Sequence, residues 1–228
     1  MSAEHQAPEG RGTWGPRAPM IVVVALVSIL AGLGVSVAAV AGVARGVRAA
    51  GQQITSSKTV AVAGGPVVTE SMEILTGEVQ RKRHIITPYG VGFGPMYTNT
   101  SWAVHVGDTV VIRITSYDDG PAPLTGSQIM LAQVHGTVGG IETVDGKPVS
   151  SVANDDITHT FTVPGLGLNM PIPAAPTGGS VTVVARYIAT RSGTFTWQCY
   201  APCGSGPNSM GGPMSVKGWM EGTVRVLS

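Results

Sequence analysis

The chain has 228 residues, a formal net charge of +1 and only 12% charged side chains, about half the usual share. So little charge leaves no basic footprint for nucleic acid, and no glycine-rich phosphate loop follows a strand-like run. Glycine (32) and proline (16) are abundant, a mix suited to short strands joined by turns rather than to amphipathic helices.

In chain order, residues 1–17 read as a polar tail. From Ala18 to Ala44 the run "APMIVVVALVSILAGLGVSVAAVAGVA" has no charge and is long enough to cross a bilayer as a helix. A cleaved signal peptide has an apolar core of only about 7–15 residues, so a retained anchor is expected. Gly32 with Ser36, and Ala38 with Gly42, are small residues spaced for close helix approach. Arg11 and Arg17 precede the run and Arg45 and Arg48 follow it, so charge does not set its orientation. Residues 45–70 read as a linker.

From Ser71 the pattern turns to β-branched and aromatic runs bounded by Gly, Pro, Asn and Asp. The clearest are 101–106, 109–116, 159–163, 180–188, 193–199 and 222–227, many alternating as half-buried antiparallel strands do. No helix-period segment stands outside the anchor. The expected fold is all-β: a Greek-key sandwich over 71–228, carried by one membrane helix. Two stretches, 118–156 and 204–220, exceed ordinary loops and are candidates for function.

The only cysteines, Cys199 and Cys203, are separated by three residues. In an exported domain an even count suggests a disulfide, although so short a loop removes little unfolded-chain entropy. A thiol redox pair or copper carrier is a second reading. A soft metal site with a thioether and an imidazole is the third.

The flanks resemble the CuA domain of haem-copper oxidase subunit II, a cupredoxin whose metal loop is C-x3-C-G-x2-H-x2-M after a strand G-x-[FY]-x3-C. Gly193, Phe195, Gln198, Cys199, Cys203 and Gly204 fill those slots, and Met210 has the methionine spacing. Upstream, "DITHTFTVPGLGL" supplies Asp156, His159, Phe161, Val163 and Pro164. "VHVGDTVVIRITS" and "MEGTVRVL" resemble the family's strand pair and closing strand. The likeness covers about residues 85–228.

In that family two coppers share both thiolates. The resemblance therefore implies that Cys199 and Cys203 bridge, that His159 and Met210 ligate, and that the Ala201 carbonyl is a weak ligand. Met220 competes for the thioether role. The family's second histidine is replaced by Pro207, and no histidine follows His159. His135 is the candidate substitute, and without it the remaining donors suit one copper or an impaired pair. His84 and His105 read as solvated, and Trp197 as core. Asp118, Asp119, Glu142, Asp145, Asp155 and Asp156 face Lys147 alone within 118–156. They form either an acidic rim for a basic electron donor or a solubilising loop.

The resemblance implies a single-pass subunit in the cytoplasmic membrane, its β domain outside, taking electrons from a c-type cytochrome and passing them to oxidase subunit I. An anchored cupredoxin carrying copper or electrons outside an oxidase, and a structural subunit with a degenerate site, are the alternatives. No nucleophile–base set is recognisable, so no independent catalysis is expected.

Overall fold

The computed structural model describes residues 58–62 and 65–228. Twelve strands form two sheets. β1 (Lys58–Val62), β2 (Gly65–Leu75), β5 (Thr109–Ser116), β10 (Val181–Ile188), β6 (Glu142–Val144) and β7 (Lys147–Val149) pair in that order, with β3 (Met96–Tyr97) on β2. The second sheet runs β4 (Ser101–His105), β12 (Glu221–Leu227), β11 (Gly193–Gln198), β8 (Ile157–Val163), β9 (Leu168–Pro173). The chain crosses between sheets at β3–β4, β4–β5, β7–β8, β9–β10 and β10–β11, the interleaving of a Greek-key sandwich.

Each of the six strand-like runs became a strand. Pairing is mostly antiparallel, but β2 with β5 and β4 with β12 are parallel, which alternation alone does not distinguish. Two elements begin earlier than expected: β1 and the first half of β2 occupy 58–62 and 65–70, inside the stretch read as a linker. A six-residue helix, Gly77–Lys82, was also not anticipated. It starts on Thr76, whose Oγ1 accepts the N–H of Val79 at 3.2 Å, and it has Glu78 in its first turn and Arg81 and Lys82 in its last. Less than two turns long, it has no readable period. Among the described residues no helix is long and apolar enough to cross a membrane; the expected anchor, 18–44, lies outside them.

Residues 118–156 are not a free loop. They contain a 3-10 turn, Gly126–Ala132, and the β6–β7 hairpin, which extends the first sheet through β10. The six acids there differ in setting, and Asp119, Asp155 and Asp156 remain exposed. Asp118 meets His159, Glu142 is buried, and Asp145 accepts the N–H of Thr182 at 2.8 Å.

Between the sheets the inward faces interdigitate around Trp102, Phe161 and Trp197, with Tyr97 against Trp197 at 4.9 Å between ring centroids. Trp197 is fully buried, as expected of a core residue. The parallel register of β2 and β5 sets Ile74 beside Ser116, so the segments after both strands emerge at one end. The turn between β11 and β12 opens at that end too, since Tyr97 N–H bonds to Trp219 O at 2.9 Å.

Candidate metal centre

β8 and β11 supply the first two donors. Every residue of β8 is buried, and a register shift between Ile157 and His159 re-aims the strand where the imidazole leaves it. Cys199 follows β11, its N–H held by Met220 O at 2.9 Å, while Tyr200 N–H bonds to Thr160 Oγ1 at 2.9 Å. The strand ends are thereby fixed before any metal is considered.

Cys199 Sγ lies 3.6 Å from Cys203 Sγ and 3.9 Å from His159 Nδ1. Both cysteines are free, so the disulfide reading does not describe this structure. Among the described residues, His159, Cys199 and Cys203 form the one cluster whose donor atoms all lie within 4.8 Å of one another. A fourth soft donor completes it: Cys203 Sγ is 3.2 Å from Met214 Sδ.

Met214, not Met210, therefore meets the thiols. Residues 205–211 close on themselves, with Ser205 N–H to Gly211 O at 3.0 Å and Gly211 N–H to Ser205 O at 2.8 Å. Met210 is inside that closed loop and half-buried against the core, whereas Met214 comes after the closure and is returned to Cys203. Met220 is buried and contributes its carbonyl to Cys199, not its sulfur to the thiols. Gly204 is required here, because a Cβ would stand 2.2 Å from Gly211 O and 2.7 Å from Met214 Cγ.

His135 does not join the site. It is exposed, and its backbone bridges Asn169 of β9. Asn169 pairs with Thr162, three residues along β8 from His159. That places His135 a strand further out and about 10 Å along the sheet. Pro207 opens a short 3-10 turn, Pro207–Ser209, and no imidazole takes the second position. Ala201 is fully buried. Its carbonyl is 3.9 Å from Cys199 Sγ and already accepts Cys203 N–H at 2.8 Å.

Besides Met214, a second participant was missed by sequence reasoning. Asp118 Oδ2 lies 3.1 Å from His159 Nε2, so the two ring nitrogens face a carboxylate and a sulfur. The signal was the position of Asp118 two residues after β5, at the end where the metal loop opens. Its partner in β8 is 41 residues away. Tyr97 packs edge-on to His159 at 6.3 Å and fixes the ring's inner side.

The electrostatics follow from burial. Desolvation disfavours a charge on His159, but its bonds to Asp118 and Cys199 outweigh this and raise its pKa to about 9. Burial likewise disfavours a thiolate at Cys199, yet Cys203, His159 and the N–H of Thr160 at 3.4 Å hold its pKa well below the usual thiol value. Cys203, beside that thiolate and itself buried, is pushed up. Without metal these shifts favour a thiolate on Cys199 beside a protonated His159, with the proton kept on Cys203.

The donor set fits a first-row metal. For metal–sulfur bonds of about 2.3 Å and metal–nitrogen bonds of about 2.0 Å, tetrahedral donors stand about 3.5–3.8 Å apart. The measured separations, 3.2, 3.6 and 3.9 Å, surround that range. Two sulfurs from thiols, one thioether and one imidazole are soft, which favours copper.

No family model and no curated protein sequence matches the chain. Among solved structures, rusticyanin from Thiobacillus ferrooxidans is 15% identical over 75% of this chain and 86% of that one, with a TM-score of 0.31. Reduced rusticyanin is 13% identical over 75% and 89%, TM-score 0.31. McoA multicopper oxidase from the hyperthermophile Aquifex aeolicus is 12% identical over 75% of this chain and 32% of its own, TM-score 0.33. Likeness at this level assigns no site or activity to the chain.

Proposed function

We propose that this is a membrane-anchored electron-transfer protein of cupredoxin type whose copper is held by His159, Cys199, Cys203 and Met214. The observation that carries the reading is the convergence of His159, Cys199 and Cys203 within 4.8 Å of one another, with Met214 Sδ 3.2 Å from Cys203 Sγ, at the open end of a β-sandwich. One copper per chain follows from the donor count. A pair would need a second strong nitrogen, which neither Pro207 nor His135 supplies. When bound, the copper supplies a one-electron couple.

The chain's own residues prepare the site for it. Asp118 and Cys199 fix the imidazole from its two nitrogens, and the backbone N–H of Thr160 holds Cys199. Burial keeps water from Cys199 and Met214, with Cys203 half-buried, and the hydrogen-bonded strand ends limit movement between oxidation states.

The finer reading is a subunit II of a haem-copper oxidase, receiving electrons from a c-type cytochrome and delivering them to subunit I. It is supported by the match of residues 156–164 and 193–204 to that family's motif. The missing second histidine departs from it. The β domain then lies on the extracytoplasmic side. Protease added to intact spheroplasts should remove it, and complete protection would contradict this placement.

The test of function is purification of the full chain from its native membrane with mild detergent. Co-purified haem-copper subunit I and rapid reduction by a c-type cytochrome are expected. A chain that instead exchanges copper with a soluble chelator in minutes, and takes no electrons, is a carrier.

A further inference from the structure

Within nine residues after the basic run Arg81-Lys82-Arg83-His84, four large apolar side chains are exposed: Ile86 (77%), Tyr89 (54%), Val91 (45%) and Phe93 (37%). An apolar cluster of this kind marks an interaction surface rather than scattered exposure.

The segment is built, not loose. Tyr89 and Phe93 stack at 5.3 Å, and both meet Trp219 edge-on at 5.5 and 5.4 Å. Thr87 and Gly90 close a turn through reciprocal backbone bonds, and the side chain of Gln80, itself buried, ties Leu75 O to Gly94 O. Gly90, Gly92 and Gly94 have positive φ, so the turns that push the apolar groups outward suit glycine.

The occupant is indicated by chemistry and by chain path. Tyr and Phe beside exposed Arg81, Lys82 and Arg83, the last two also paired with Glu78 and Glu73, are side chains that settle at the boundary between lipid headgroups and acyl chains. β1 begins at Lys58, which pairs with Thr69 of β2, and β1 runs away from the Leu75 end. Thr69 is six residues before Leu75, so Lys58 lies about 20 Å from the end at which the apolar turn projects. Thirteen residues separate Ala44 from Lys58 and reach no more than about 45 Å.

We propose that the 81–93 segment is a second membrane contact, seating the turn Ile86–Phe93 in the lipid interface with its basic residues over anionic headgroups. The domain's open end, with Trp219 and the metal loop, is then held at the bilayer surface. The inference rests on the membrane-anchored reading above, but not on copper.

The test uses the full chain with Trp14→Phe, reconstituted in vesicles of phosphatidylcholine and phosphatidylglycerol with or without brominated acyl chains. Trp102 and Trp197 pack between the sheets, whereas Trp219 lies directly under Tyr89 and Phe93 of the apolar turn, so quenching from the lipid interface reads Trp219. Brominated lipid should lower the Trp219 emission to about half, and Ile86→Asp with Val91→Asp should restore it without changing copper content. Both substituted positions are exposed, so folding is not at stake. The proposal is overturned if the parent does not float with vesicles, if its emission is unaffected, or if the double variant is quenched as strongly. An unaffected parent would leave the face to a protein partner. Copper measured on the same samples separates the two readings: quenching without copper sinks the metal site alone, and copper without quenching sinks this contact alone.

Discussion

His159 is the residue on which the site's charge balance turns. Its folded pKa of about 9 exceeds the ordinary value near 6.5. Its contribution to stability is therefore complete below about pH 6.5 and is lost as pH rises through about 9. In copper-free protein, the imidazole NMR titration should have its midpoint near the raised value. Asp118→Asn should bring it down, because the neutral amide no longer stabilises the imidazolium; an unchanged midpoint would remove Asp118 from the account. Copper binding needs neutral imidazole and deprotonated thiols. About two protons should thus leave per copper at pH 7, one from His159 and one from Cys203, read by dye or calorimetry in two buffers. At this scale the sequence was partly legible. Cys199, Cys203 and His159 carried their chemistry in their flanks. Met214 and Asp118 did not, because counting along the chain cannot show a loop that closes on itself or a contact across 41 residues. Met214→Leu should change the copper spectrum and weaken binding, while Met210→Leu should leave both nearly unchanged.

Among the elements, the strands that alternate were readable and those that do not were hidden. β9 and β7 carry proline (Pro171, Pro173 and Pro148) and are both outer strands, where a missing N–H is tolerated. β1 and β2 pair antiparallel from Val62–Gly65 onward, in a stretch whose small-residue composition hid both strands. β6 holds a further conflict. Glu142 is 1% exposed, and neither carboxylate oxygen has a partner. Burial raises its pKa to about 9 from 4.5. The protein therefore loses stability as pH rises from about 4.5 through 9, by on the order of 3 kcal/mol at pH 7. Glu142→Gln should raise the urea midpoint at pH 8 and flatten its dependence on pH; equal midpoints at pH 5 and 8 in the parent would contradict this. The metal loop makes its own demand on sequence. Gly204→Ala should cost most of the bound copper, because its Cβ has no room between Gly211 O and Met214.

For the whole molecule, two sheets bring three distant segments to one end: the turn after β2, the start of 118–156 and the β11–β12 loop. The all-β class and the sandwich were legible because hydrophobic alternation reports burial. Which loops meet was not, since that depends on the two parallel pairings and on the crossovers between sheets. The number of coppers belongs to this scale, because it depends on whether any other part of the fold delivers a second imidazole. None does among the described residues. The decisive measurement is copper per chain together with the electron spin resonance spectrum of the oxidised full-length protein. The account predicts one copper per chain, hyperfine splitting from a single nucleus, and loss of both in Cys199→Ser and in Cys203→Ser. Two coppers sharing one unpaired electron, or copper content unchanged in either cysteine variant, would contradict it.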